Sequence, residues 1–473
     1  MTPALPDSRR TALSGSCVLA VMVLEIARNL GLCSWLDPLA WAALGATILA
    51  AWRVIERREV YFLALCAGLG LAVMVVLDDP APLLRRAMNQ ATYMLTFMMC
   101  LGLLYEAART STAVRECGPF LTTQPPGRRY VALASGTSLL AVLFNAGIVG
   151  FLIPMIRGGI ASSTPGDPLN PMRERRQLNA VLRGFAWTIL WSPTALAPLI
   201  LLSLLPGANR AVWHVYGITV FVVILTIGAV EDWLRFTRHR LRAPVQVAAF
   251  PGGAALRLLA VCLALIGLSS VAMTLTGSGI VLALMIVCPV LCVAWIALQN
   301  APLEPEGRRR TLGRIWQLRA DLGRATSLGI VLASAGFVGT TAAALVPEDL
   351  LGLEEMMPMP DIALLAVIPP FVALLGLAGL NPVTQAVFLG SLFGSRLAIP
   401  VDPTLFALAI SCGWALSMTV SPLAPVIILT ARISSLSPVT LTWRWNLIFS
   451  ALACMALPPL FLLLPRLVGV AAP

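Results

Sequence analysis

The residues of this chain best suited to hold a ligand are uncharged. Asn145 lies in Phe144-Asn145-Ala146-Gly147 and Asn381 in Gly379-Leu380-Asn381-Pro382, each a helix-breaking tetrapeptide inside an apolar run. Ser192-Pro193-Thr194 and Thr419 with Ser421-Pro422 form a second matched pair, and Thr384 follows the Asn381 tip. Amide and hydroxyl oxygens of this kind coordinate sodium or hydrogen-bond a small anion. Proline removes a backbone hydrogen bond and clashes with the preceding turn, so Pro193 and Pro422 interrupt any helix that contains them. The ends so created carry partial charge, positive at an N-terminus and negative at a C-terminus. The first suits an anion and the second a cation. Each residue also has a structural role open to it, because asparagine caps helices and serine and threonine bond back to the preceding turn. Neither tip and neither Ser-Pro break carries an ionisable side chain, which favours sodium over proton as the coupling ion.

The surrounding chain has 473 residues, of which 58% are hydrophobic and only 12% charged, about half the charged share of a soluble domain. Apolar runs of about twenty residues recur from Leu13 to Leu464, more than one core can absorb. These features predict an all-α polytopic membrane protein and exclude a soluble enzyme or a disordered chain. All 33 basic residues are arginine, and most sit in loops between apolar runs, where they act as topology signals. No basic stripe with interleaved aromatics is present, so the charge of +11 does not imply nucleic acid. The ten cysteines lie mostly in apolar runs and form no CxxC pair. Cys288 and Cys292 are one turn apart without a neighbouring His or acid, so no metal or cofactor is expected. The first run, Leu13–Leu32, lacks a small-residue cleavage site and is expected to stay as a helix.

Thirteen apolar segments are long enough to consider as spans: 13–32, 35–52, 60–77, 88–107, 131–156, 179–205, 211–231, 254–275, 279–298, 326–346, 361–394, 403–430 and 444–465. Segments 131–156 and 361–394 contain the two Asn tips. The first is flanked on both sides by arginines, Arg128 and Arg129 before it and Arg157, Arg173, Arg175 and Arg176 after it. A re-entrant hairpin keeps both clusters cytoplasmic where a simple crossing cannot. The second follows the acidic stretch Glu348, Asp349, Glu354 and Glu355 and is expected to enter from outside. Eleven crossings and two opposed hairpins place the N-terminus in the cytoplasm and the C-terminus outside, in a bacterial inner membrane. All arginines then lie inside except Arg28, Arg85, Arg86, Arg210, Arg396 and Arg466. The expected divisions are scaffold helices over 1–130, the first hairpin with its broken helix and the next helix over 131–231, second-repeat scaffold over 232–346, and the second hairpin, broken helix and last helix over 347–473.

A repeat underlies this layout. Gly184-Phe185-Ala186 is followed after five residues by Ser192-Pro193, and Gly413-Trp414-Ala415 after five by Ser421-Pro422. Both copies continue into a second proline and an aliphatic run, Ala197-Pro198-Leu199-Ile200 and Ala424-Pro425-Val426-Ile427. The charge rule orients the copies oppositely, and inverted repeats with broken helices are the usual construction of secondary transporters. Broken backbone in hydrocarbon survives only where it lines a cavity or is covered by protein. Two tips and two breaks are therefore expected to converge on one site, to which Asn145, Gly147, Ser192, Pro193, Thr194, Asn381, Thr384, Thr419, Ser421 and Pro422 contribute. Gly147, Gly376 and Gly379 are expected to allow close approach of the hairpin arms, with direct backbone coordination the alternative.

This arrangement resembles the ion transporter superfamily, whose best-known fold is that of the divalent-anion:sodium symporters. The resemblance covers nearly the whole chain in layout. It implies two opposed hairpins, two interrupted helices, a substrate flanked by sodium sites, a homodimer held by scaffold helices, and an elevator-like movement. The family's tips read Ser-Asn-Thr. Here only Asn145 and Asn381 carry over, with Thr384 a looser match. The function so implied is secondary active transport of a small organic or inorganic anion, coupled to sodium. A membrane-embedded enzyme acting on lipid-linked substrates is the rival, disfavoured because its chemistry needs positioned ionisable groups.

Several charged residues remain. Arg183 precedes the first motif and is expected either to meet an anion at the cytoplasmic mouth or to snorkel to the interface. Glu25 and Arg28 share a helical face as a structural ion pair, and Glu231 with Asp232 is expected at a solvated helix end. His214 and His239 are not placed as catalytic bases. Arg308–Arg324 has the pattern of an amphipathic helix on the lipid surface.

Overall fold

Backbone amides in hydrocarbon have no water to bond, so apolar runs of this length close their hydrogen bonds internally as helices. The computed structural model describes residues 8–33, 35–236, 248–300, 305–347, 360–395, 397 and 401–467. Among them nine helices are long and apolar enough to cross a membrane, and the protein is an all-α polytopic membrane protein. Glu348, Asp349, Glu354 and Glu355 of the acidic stretch before the second tip, together with His239 and Arg396, lie outside the described residues.

The chain forms two compact units. The first comprises Met1–Ser111, Val261–Leu351 and Val387–Leu392. It holds α1 (Ser8–Asn29), α2 (Leu36–Ala51), α3 (Arg57–Val76) and α4 (Ala81–Arg109), most of α11 (Gly252–Thr276), and α12 (Ile280–Gln299) and α13 (Pro305–Ala344). Here the Arg308–Arg324 expectation fails. The stretch is the first half of one continuous helix of 40 residues, not a separate surface helix. Its backbone meets that of α1, since a Cβ at Gly15 would overlap the Arg319 carbonyl and one at Gly323 the Thr11 carbonyl. Arg314 turns inward to Glu106 and Asp321, each at 2.8 Å. One arginine of the stretch is thus covered by protein because acids are placed to receive it, while Arg308, Arg309, Arg310 and Arg324 stay exposed.

The second unit comprises Thr112–Ala260, Gly352–Ala386 and Phe393–Pro473. Its first half runs through α5 (Thr112–Thr122), α6 (Pro126–Phe144), α7 (Gly147–Ser163), α8 (Asn170–Thr188), α9 (Leu196–Leu204) and α10 (Arg210–Phe236). Its second half runs through α14 (Asp361–Leu377), the ends of α15 (Pro382–Ser395), α16 (Pro403–Val420), α17 (Pro425–Ser434), a π-helical turn (Thr440–Arg444) and α18 (Trp445–Leu467).

Helices break where the tetrapeptides stand. Asn145 ends α6 at φ 48° and ψ −139°, outside the left-handed helical region and a conformation that glycine takes most easily. Its N–H donates to Ala141 O at 2.8 Å, and its Oδ1 accepts the Ala146 N–H at 2.8 Å. At the second tip Gly379 takes φ 92°, and Asn381 Oδ1 accepts the Val383 N–H at 2.9 Å, capping α15. The Ser-Pro sequences fall in the unwound stretches between α8 and α9 and between α16 and α17.

The motif glycines explain the repeat physically. In one half α6 packs on α8, and in the other α14 packs on α16. A Cβ at Gly184 would overlap the backbone of Ala134, and one at Gly413 would sit 2.5 Å from Val372 Cβ and 2.9 Å from the Pro369 carbonyl. Each glycine lets a broken helix touch the first arm of its own tip. The second arms cross over to the other half. Arg157 of α7 donates to the Ile433 carbonyl of α17 at 3.1 Å, while Gly394 of α15 abuts the Leu204 carbonyl of α9.

Candidate functional site

Unwinding after Thr188 leaves the carbonyl end of α8 facing a stretch of turns. Ser192 N–H still reaches Thr188 O at 3.0 Å, and the next regular helix begins only at Leu196. The Pro193 ring forbids a continuous ladder here, so side-chain hydroxyls take over. Ser192 Oγ and Thr194 Oγ1 lie 3.0 Å apart, and Thr194 Oγ1 donates to the Val142 carbonyl at 2.8 Å. That bond ties the break to the last turn of α6, three residues before Asn145. Thr188 Oγ1 lies 2.6 Å from Ser138 Oγ on the same arm.

A cavity of about 80 Å³ opens at this junction. Its polar lining is Asn145, Thr188, Ser192 and Thr194, and Phe185, Trp414 and Met418 contribute much of the apolar wall. Phe185 and Trp414 are the aromatic positions of the two motif copies, so the repeat brings its equivalent residues into one space. Every polar side chain in the lining is neutral. The cavity offers amide and hydroxyl oxygens beside the negative end of α8 and the positive end of α9, and no general acid or base.

The remaining expected residues lie elsewhere in the second half. Ser421 Oγ donates to the Gly376 carbonyl at 2.8 Å and accepts the Leu423 N–H at 3.2 Å. Thr419 Oγ1 lies 2.9 Å from Ser450 Oγ. Gly376 meets Ser417, a residue of α16, not another hairpin arm. Thr384 and its neighbour Gln385 are buried, with Thr384 Oγ1 and Gln385 Oε1 unpartnered. The cavity thus gathers Asn145, Ser192 and Thr194 but not Asn381, Thr384, Thr419 or Ser421. Gly147 starts α7, while Pro193 and Pro422 act as helix breakers. Sequence reasoning missed Thr188, Trp414 and Met418 of the lining. For Trp414 the signal was available, because it stands at the aromatic position of the motif.

Arg183 is at neither of its expected places. It is 3% exposed, with Nε donating to Asn446 Oδ1 at 2.7 Å and Nη1 paired to Glu231 at 2.9 Å. Its guanidinium lies 4.1 Å from the Phe449 ring centroid. α10 and α18 both pack against α8 here, which closes the route to an interface. Glu231 is consequently not solvated but holds Arg183 and Arg235, and Asp232 is buried against Arg176 at 2.6 Å. Glu25 and Arg28 do pair, within a cluster that adds Asn29, Asp37 and Arg85. His214 Nδ1 lies 2.8 Å from the Arg210 carbonyl.

No protein-family model matches the chain, and no curated protein matches it in sequence. Solved structures do match. The YdaH transporter of Alcanivorax borkumensis, described as having an unusual topology, aligns at a TM-score of 0.59 and 15% identity, over 88% of this chain and 99% of its own. MtrF of Neisseria gonorrhoeae, described within a class of antimetabolite efflux pumps, aligns at 0.54 and 14% identity, over 86% and 94% respectively. At this identity the likeness is one of fold: the chain is a multi-pass membrane protein folded like these two transporters.

Proposed function

We propose that the protein is a secondary active transporter of a small anion, coupled to sodium, working by alternating access in a bacterial inner membrane. The observation that carries this reading is the cavity at which Asn145, Ser192 and Thr194 meet the two motif aromatics. Neutral oxygens beside a helix C-terminus suit a desolvated monovalent cation, and the N-terminus of α9 suits an anion. The fold likeness to YdaH and MtrF supports transport as the class. The description of MtrF within a class of antimetabolite efflux pumps makes antimetabolites that are anions the first solutes to screen and export the first direction to assay. The resemblance to the divalent-anion:sodium symporters belongs to this proposal, as do a homodimer and an elevator-like displacement of the hairpin-bearing unit. An enzyme of lipid-linked substrates is less well supported, since the cavity lining holds no ionisable side chain.

The test is thermal stability of the purified protein against a panel of small anions, in sodium and in choline. A ligand at one hundred times its Kd adds about 2.7 kcal/mol to the folded state. The proposal expects an anion that raises Tm in sodium and much less in choline. Stabilisation that ignores the cation overturns sodium coupling, and a panel without any stabilising anion overturns the substrate class.

A further inference from the structure

We propose that a single chloride ion binds in a small cavity against α8, held by Arg183, Trp187 and the Tyr130 hydroxyl. Four elements of the second unit meet there: α6 supplies Tyr130, α8 supplies Arg183 and Trp187, α10 supplies Phe221, and α18 supplies Phe449. The cavity has a volume of about 10 Å³. Phe185 and Thr188 of the same helix line the other cavity, at the first tip, so α8 serves the two sites with different residues.

The donors in this lining lack acceptors. Arg183 Nε donates to Asn446 Oδ1 at 2.7 Å and Nη1 to Glu231 at 2.9 Å, but Nη2 has no partner among the described residues. Trp187 stands four residues on, on the same side of α8, and its Nε1–H is likewise unpartnered. The two residues are 3% and 1% exposed, so bulk water does not serve them. Tyr130 Oη accepts Arg183 Nη1 at 3.4 Å, and its own hydrogen has no acceptor among the described residues. Burying such donors alone is costly, and three around one cavity call for a shared acceptor.

Size and charge select that acceptor. The volume is about that of one water-sized sphere, which admits a monatomic ion and shuts out carboxylates, phosphate and organic solutes. A water would have two hydrogens to place, and among the lining side chains only Tyr130 Oη can accept one. A halide accepts and donates nothing. The surrounding charge favours it too. Arg157 pairs with Glu174 and Arg173 with Asp167, which leaves Arg175, Arg176, Arg183 and Arg235 against two acids, Glu231 and Asp232. Arg175 lies over the Phe236 and Trp445 rings. An anion beside Arg183 offsets part of this excess, and low local polarity strengthens the attraction.

The experiment is thermal unfolding of the purified full-length protein in sodium chloride, bromide or gluconate, at equal sodium and equal ionic strength. Chloride and bromide should raise Tm saturably and gluconate should not. Trp187→Phe keeps a ring and removes the donor, and should weaken chloride by about ten-fold or more. Tyr130→Phe serves the same purpose if the Trp187→Phe protein does not fold. Asn145→Gly should leave the halide response intact, which separates this site from the one at the first tip. In crystals grown in bromide, anomalous scattering should place a peak between Arg183 and Trp187. Equal Tm in chloride and gluconate, or an unchanged halide response in the folded Trp187→Phe or Tyr130→Phe protein, overturns the proposal. Density at that point without an anomalous signal also overturns it, as a water. A halide response lost in Asn145→Gly would move the ion to the first tip and overturn this site.

Discussion

At the scale of single residues, burial decides what each polar group can do. Arg183 is the clearest case. Its charge is held by Glu231, Asn446 and the Phe449 ring, away from any interface. Removing one partner of a buried ion pair strands the other, at a cost of about 3–5 kcal/mol. Arg183→Ala should therefore lower Tm severely, and adding Glu231→Gln should restore part of the loss; thermal unfolding in detergent measures both. An access residue at a solvated mouth would leave Tm unchanged and alter transport alone. Asn145 joins two roles, because it turns the chain at positive φ and also lines the cavity. Asn145→Gly keeps the turn and removes the amide, which separates binding from capping.

At the scale of elements, the repeat is a packing device before it is a functional one. Gly184 and Gly413 sit where two helices share backbone contact. In an exposed helix Gly→Ala stabilises by about 1 kcal/mol, but overpacking a tight contact costs about 1–3 kcal/mol. Gly184→Ala and Gly413→Ala should thus lower Tm, while Gly158→Ala, with nothing within 4 Å, should not. Equal Tm values for all three would remove the packing account of the motif. Both helix-breaking tips and both Ser-Pro breaks were legible in the sequence, since proline, glycine and asparagine state backbone geometry locally. The partners of Arg183 and the inward turn of Arg314 were not. They depend on acids 48 and 208 residues away in sequence, which no local pattern places. Of the expected ligand set only Asn145, Ser192 and Thr194 share the cavity, since Ser421 packs on Gly376 of α14 and Asn381 caps α15, away from the first break.

At the scale of the whole molecule, the account rests on two tests. The arginine distribution predicts that 157–178 is cytoplasmic and the α11–α12 turn external. In a cysteine-free background, a thiol at exposed Ser162 should resist an impermeant reagent in intact cells and one at exposed Thr276 should react. The reverse pattern would invert the topology. The central claim is that the cavity at the first tip binds sodium through neutral oxygens. A buried hydrogen bond to a charged group contributes about 1.5–3 kcal/mol, which corresponds to about ten- to a hundred-fold in affinity. The most direct measurement is equilibrium binding of radioactive sodium to the purified protein and to its Asn145→Gly, Ser192→Ala and combined variants, with Tm matched. The account predicts saturable binding, weakened about ten- to a hundred-fold in each single variant and less than the product of the two in the double, because neighbours on one ion couple. Sodium binding that is absent from the parent protein, or unchanged in all three folded variants, would contradict it.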